Sequence, residues 1–205
     1  MIITYIIIGI TVLVSFGAWN NPDLMRKFIM NPYTVERRGE YQRFITSGFI
    51  HQDHMHLLFN MITLYSFGNF LEQLFNMYFG GIGAVYYVVL YLLAIVVSEI
   101  PTYFKHKSNS RYNSLGASGG VSAIVFAVIL FQPLVKIYMM PGFILGTLYI
   151  IYSYFQAKKA GDGINHDAHL FGAAFGILFC VILYPPVIQL FIDQISAWKM
   201  DLFQR

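Results

Sequence analysis

Three groups of polar residues interrupt an otherwise apolar chain, and each is of a type that moves protons or stabilises an anion. Ser118 lies in the run Leu115-Gly116-Ala117-Ser118-Gly119-Gly120, whose small side chains let backbones approach closely and leave amide N–H groups accessible. His169 is followed by Gly172 and Gly176, three and seven positions on, so the imidazole shares a flat helical face with two glycines. His56 and Asn60 are four apart, again on one face. A serine hydroxyl is a weak nucleophile until a neighbouring base takes its proton, and a neutral imidazole suits that task. The oxyanion formed next needs preorganised donors, and the His56 ring, the Asn60 amide and backbone N–H groups near Ser118 are of the right kind. Each group also has a plainer reading. Serine among small residues is common where membrane helices pack, Asn60 alone fits an interhelical hydrogen bond, and His56 alone fits a satisfied buried imidazole.

The elements that must carry these residues are membrane helices. Of 205 residues, 57% are hydrophobic and 11% charged, with a mean hydropathy of +0.59, outside the range of an ordinary soluble domain. A span needs ~20 mostly apolar residues, and roughly six such segments fit, at about 2–19, 54–75, 83–104, 115–131, 139–155 and 167–190. The expected fold is therefore all-α, a bundle of six transmembrane helices forming one domain over 1–205. The first segment has neither a basic n-region nor an obvious small-residue cleavage site and reads as a span, not a signal peptide. A polar first loop of about 20–52 carries Arg26, Lys27, Arg37, Arg38 and Arg43, and a loop of that length is expected to be functional or disordered. The tail, about 191–205 with Trp198 and Phe203, is expected to lie in the membrane interface. Spans two, four and six enter from one side, which brings His56, Asn60, Ser118 and His169 to one level.

Several function classes are disfavoured. The single cysteine, Cys180, lies in an apolar run, so neither an intramolecular disulfide nor a cysteine metal site is available, and packing is its expected role. A net charge of +3 spread over loops lacks the basic stripe of a nucleic-acid binder, and a lipid-facing or substrate-in-membrane function fits better. The cluster His51, Asp53, His54 and His56 holds metal-ligand types. It contains no His-Glu-x-x-His run, however, and His54 and His56 point to different faces, so no metal is expected there. A transporter would carry paired charges or broken helices near the midplane. Here the polar residues gather toward one face.

These motifs resemble those of the rhomboid intramembrane serine proteases. Gly116-Ala117-Ser118-Gly119 looks like the family's serine motif, and Ala168-His169-Leu170-Phe171-Gly172 with Gly176 looks like its histidine motif. His51 together with His56-Leu57-Leu58-Phe59-Asn60-Met61 reads like its second helix, while Arg43 and Glu72 also fall at family positions. The resemblance implies a Ser–His dyad without an acidic third member, working without metal or cofactor. It also implies as partners the lipid bilayer and transmembrane protein substrates, whose peptide bonds are cleaved in or near their transmembrane segments. Carried over, Ser118 is the nucleophile, His169 the base, His56 and Asn60 the oxyanion side chains, and Gly116, Gly119 and Gly172 supporting residues. Two positions depart from the pattern: Ser122, four after the serine, stands where an aromatic that stacks on the histidine is often found, and Gln42-Arg43 replaces a Trp-Arg pair. The alternative is a non-catalytic rhomboid-like protein that binds membrane clients, which would be expected to lack the serine or the histidine.

Glu72 and Glu99 are expected to be structural or interfacial, and His166 with Asp167 to set the start of the sixth span. The protein is expected to be a multi-pass protein of the cell inner membrane. Basic residues concentrate on loops one, three and five, which by charge alone puts the site's face in the cytoplasm. The family resemblance implies a site opening away from it, and that orientation is the one adopted. The short fifth helix, followed by Gly161 and Gly163, is expected to move aside from the second as a gate, with Phe155 contributing its apolar contact. The sequence does not specify an oligomeric state.

Overall fold

The apolar runs become helices close to where their length and composition require them. The computed structural model describes residues 2–159 and 163–203, so Gly161 lies outside the described residues. Helix α1 is Ile2–Asn20. After the first loop come α5 (His54–Thr63), a π-helical turn (Leu64–Gly68), α6 (Asn69–Phe79) and α7 (Gly83–His106). Then follow α8 (Ser118–Phe131), a short antiparallel pairing of β1 (Lys136–Ile137) with β2 (Met140–Pro141), α9 (Gly142–Ala157), α10 (His166–Leu183) and α11 (Val187–Phe203). Three helical stretches among the described residues, Ile2–Asn20, His54–His106 and His166–Leu183, are long and apolar enough to cross a membrane, and α8 is apolar but shorter. The protein is an all-α, multi-pass membrane bundle.

Four expectations need correction. The first loop is largely helical, with α2 (Pro22–Phe28), α3 (Pro32–Arg38) and α4 (Arg43–Thr46). Its signal was local: Asn21-Pro22 and Asn31-Pro32 each put a capping side chain before a proline at the first helical position, where the missing N–H costs nothing. Asn21 accepts from the Asp23 and Leu24 N–H groups at 3.1 Å, and Asn31 from Thr34 at 2.7 Å. Arg43 is buried and donates to the Arg26 and Ile29 carbonyls, both at 2.7 Å, and to Glu40 at 2.7 Å. It thereby satisfies carbonyls at the end of α2 that helix geometry leaves open.

The other three corrections concern helix ends and one side chain. The fourth span starts at Ser118 and not Leu115, because Gly116 adopts φ +117° and turns the chain before the helix begins. The last core span stops at Leu183, short of residue 190 but beside Pro185-Pro186, the pair that the sequence marks as its end, and the tail forms α11. Gln194 of α11 donates to the Phe131 carbonyl at 3.0 Å and Trp198 packs edge-on to Phe143 at 5.4 Å, so the tail docks on the protein. Phe155 is 58% exposed and does not hold the fifth span in place.

Helix α8 occupies the centre, with Gly120, Ala123, Ile124, Ala127, Val128 and Phe131 buried. Its contact with α10 is backbone against backbone: a Cβ on Gly172 would lie 2.2 Å from the Gly119 carbonyl oxygen, and one on Gly176 would lie 2.3 Å from that of Ala123. At the opposite end of the molecule, Glu72 caps α1. Its carboxylate accepts from the Ile3 and Thr4 N–H groups at 3.3 and 3.1 Å and from the Thr4 hydroxyl at 2.8 Å. It is structural, as expected. Replacing Glu72 by Ala should cost about 1–3 kcal/mol by stranding buried donors, read as a lower melting temperature in detergent micelles. Glu72→Gln, which keeps one acceptor oxygen, should lose less.

Candidate active site

The segment before α8 is shaped by two hydrogen bonds. The Gly116 N–H donates to the Ser47 carbonyl at 2.9 Å, and the Ala117 N–H donates to His51 Nε2 at 3.2 Å. The accepting nitrogen must be unprotonated, so the ring proton sits on Nδ1, which faces Ser15 Oγ at 3.0 Å. Ser15 in turn donates to the Phe49 carbonyl at 3.1 Å, and Trp19 Nε1 donates to the His51 carbonyl at 2.8 Å. Both ring nitrogens and the carbonyl of His51 are thus engaged by α1 and by the loop ahead of Ser118. Burial holds its imidazole far below the ordinary range, with the nearby His56 acting in the same direction.

Ser118 consequently opens α8. The N–H groups of a helix's first turn have no acceptor inside the helix, and the N-terminal end carries the positive pole of the macrodipole. An anion formed at Ser118 Oγ would sit beside both. His56 lies against the same turn: a Cβ on Gly116 would come within 2.7 Å of His56 Cε1, so this position requires glycine for space as well as for its φ. Asp53 fixes the start of α5 by accepting from the His56 N–H at 2.8 Å. Asn60 is buried one turn further on and uses one amide hydrogen on the His56 carbonyl at 2.9 Å.

Helix α10 is fixed in the same manner. Asn165 accepts from the Ala168 N–H at 3.0 Å, and its amide lies 2.9 Å from both Ser114 Oγ and Thr102 Oγ1. Ser114 donates to Glu99 at 2.8 Å. The Glu99 carboxylate on α7 therefore ties together a residue four before Ser118 and a residue four before His169. The expectation that Glu99 is structural holds. Sequence reasoning missed Asn165, although an Asn three residues ahead of Ala168 at the start of an apolar run is a capping signal.

The four expected site residues come together. His56, Asn60, Ser118 and His169 line a single cavity of about 660 Å³, with Ser122 and Tyr149. It continues as a groove between α5 with its π-turn (Thr63, Ser66) and α9 (Leu145, Gly146), as far as Lys136 and Tyr138 of the hairpin. Gly119 and Gly172, the expected supporting residues, sit where the two helices touch, and a Cβ on Gly119 would also lie 2.0 Å from Ser98 Oγ. An aromatic ring does approach His169, but from another helix and not from position 122. Tyr149 of α9 lies beside the His169 ring, with centroids 6.0 Å apart and planes inclined 26°, and its hydroxyl is 3.3 Å from Ser122 Oγ. No sequence signal marked Tyr149, one of several tyrosines on an apolar helix. His166 meets His169 edge-on at 5.6 Å.

Residues 38–186 match the family model of the rhomboid domain, and the chain belongs to the rhomboid family. It is 31% identical over 166 residues to the RHOMBOID-like protein 12, mitochondrial, of Arabidopsis thaliana, covering 73% of this chain and 49% of that one. It is 29% identical over 185 residues to the human Presenilin-associated rhomboid-like protein, mitochondrial, covering 84% and 46%. With the Rhomboid protease GluP of Bacillus subtilis it shares 26% over 131 residues, covering 62% and 24%. The chain thus spans about half the length of the first two relatives and a quarter of the third.

The state of His51 has a consequence for pH. Its imidazole stays neutral in the fold but protonates in the unfolded chain below about pH 6.5, so the unfolded state binds the extra proton. Stability should be complete above that pH and fall as the pH drops, by at most about 1.4 kcal/mol per unit from this residue. Denaturation of wild type and His51→Gln between pH 8 and 4.5 should show a shallower slope in the variant, together with lower stability at pH 8.

Proposed function

We propose that the protein is an intramembrane serine endopeptidase that cleaves transmembrane or juxtamembrane segments of membrane proteins with a Ser118–His169 dyad. One observation carries this reading: the serine at the N-terminus of α8 and the histidine in the first turn of α10 line one cavity, on helices whose backbones touch at Gly119 and Gly172. Family membership and the name of the Bacillus relative support the same class of chemistry.

The steps follow from the geometry. Ser118 Oγ attacks the scissile carbonyl carbon while His169 accepts the hydroxyl proton. The tetrahedral oxyanion is stabilised by first-turn N–H groups of α8, aided by the His56 ring and the Asn60 amide hydrogen not used on the helix. His169 returns its proton to the leaving amine, giving an acyl-enzyme. Water entering from the polar face is then deprotonated by His169, attacks the ester and releases the new carboxyl end. No metal or cofactor takes part. The groove between α5 and α9 receives the substrate segment, and α9 is the wall that yields to admit it, although Phe155 is not what holds it.

The competing reading, a client-binding protein without hydrolysis, draws on the rhomboid-like names of the mitochondrial relatives. The cell inner membrane remains the proposed location, and those names make a mitochondrial membrane the outcome to test against, by microscopy of a tagged chain.

A serine-reactive fluorophosphonate should label the wild type and not Ser118→Ala, and labelling that survives would remove the nucleophile assignment. Ser118→Ala and His169→Ala should each abolish cleavage of a transmembrane substrate in a folded protein. Their combination should be no worse than either, because the two act as one unit. Asn60→Ala should lower kcat by roughly a hundredfold, about 3 kcal/mol of transition-state stabilisation. Activity should be unchanged by EDTA; loss that zinc restores would point to the histidine cluster instead.

A further inference from the structure

We infer that Tyr149 is a positioning residue for His169 and that, because it is carried on α9, the imidazole keeps its working orientation only while α9 sits against α8. This rests on the dyad proposed above. The ring of Tyr149 lies 6.0 Å from that of His169 at 26°, within the range of offset stacking. Its far end is indexed by the Ser122 hydroxyl at 3.3 Å, and Ser122 stands one helical turn beyond Ser118. One α8 surface therefore carries the nucleophile and also fixes the ring that backs the base. Phe126, another turn on, flanks Tyr149 at 6.0 Å.

The attachment of α9 is narrow. Its buried residues are Gly142, Gly146 and Ser153, whereas Leu148, Ile151, Tyr152, Tyr154 and Phe155 are exposed. At Gly146 the approach to α8 is close: a Cβ there would lie 2.9 Å from Ile129 Cδ1 and 3.3 Å from Phe126 Cε1. Displacing α9 outward from this line carries Tyr149 away from the imidazole. An α9 that has swung out to admit a segment thus leaves His169 unbacked, and the dyad is restored when α9 returns over the bound substrate. Opening and chemistry are then separated in time.

The full-length protein in detergent micelles, a small alkyl fluorophosphonate and a small chromogenic ester provide the test. Tyr149→Phe keeps the ring and should label within roughly threefold of the wild-type rate. Tyr149→Leu should label about tenfold more slowly or worse, with kcat for the ester reduced to match and KM unchanged, since only the orientation of the base is lost. Both variants should melt cooperatively well above the assay temperature, so that the slower labelling reads orientation and not unfolding. Gly146→Leu, which touches neither reacting group, should wedge α9 outward and slow labelling several-fold, and it should add nothing in the Tyr149→Leu background. Wild-type labelling in Tyr149→Leu overturns the inference, as does a Tyr149→Phe defect as deep as the Leu one. Multiplicative slowing in the double variant removes the link to α9. Labelling of Ser118→Ala, by contrast, would sink the dyad itself.

Discussion

The rest of the structure depends on the direct backbone contact between α8 and α10. With 2.2 Å left for a side-chain carbon at Gly172 and 2.3 Å at Gly176, no other residue fits without moving a helix. In a bilayer, helix association gains nothing from burying apolar surface away from lipid, so close van der Waals approach through small residues must supply the attraction. The same contact positions the candidate site. Gly119 follows Ser118 and Gly172 lies three residues after His169, so the fit that holds the bundle also sets the separation between Ser118 and His169.

Around that contact, polar side chains act on the backbone more than on each other. His51 holds the Ala117 amide, Asn165 caps α10, Asp53 caps α5 and Arg43 gathers the carbonyls ending α2. Each satisfies a backbone group that has no partner in its own helix, which for the buried His51 and Arg43 offsets the cost of burial. The π-turn at Leu64–Gly68 belongs to the same economy. It re-phases the second span where Thr63 and Ser66 face the groove, and the Tyr87 hydroxyl would be 2.6 Å from a Cβ at Gly68.

What was legible in the sequence was what short-range spacing controls. The spans followed from apolar length, and His56 with Asn60, Ser118, and His169 with its glycines were marked by polar atoms out of place in lipid. Their convergence on one cavity followed from the alternating direction of the spans. What was not legible needed distance in the chain. Tyr149 reaches His169 across 20 positions from a helix with no polar pattern to single it out, and Glu99 meets Ser114 and Asn165 only once three segments are assembled. The helices of the first loop fall between these cases, since their caps were readable but a polar stretch with no apolar period looks irregular. A start of α8 at Leu115 follows from including the small residues of Leu115-Gly116-Ala117 in the span, whereas the positive φ of Gly116 breaks the helix there.

The junction at Glu99 has a bearing on biosynthesis. The loop ahead of Ser118 is clamped from one side by α1, through Ser15 and His51, and from the other by Asn165, which enters the membrane last among the residues that shape it. A nascent chain halted before Asn165 therefore carries Ser118 on a half-built loop, without His169 or the Asn165 clamp. The cavity that Ser118 shares with His169 is complete only once the final core helix has inserted, so the order of synthesis sets when the site forms.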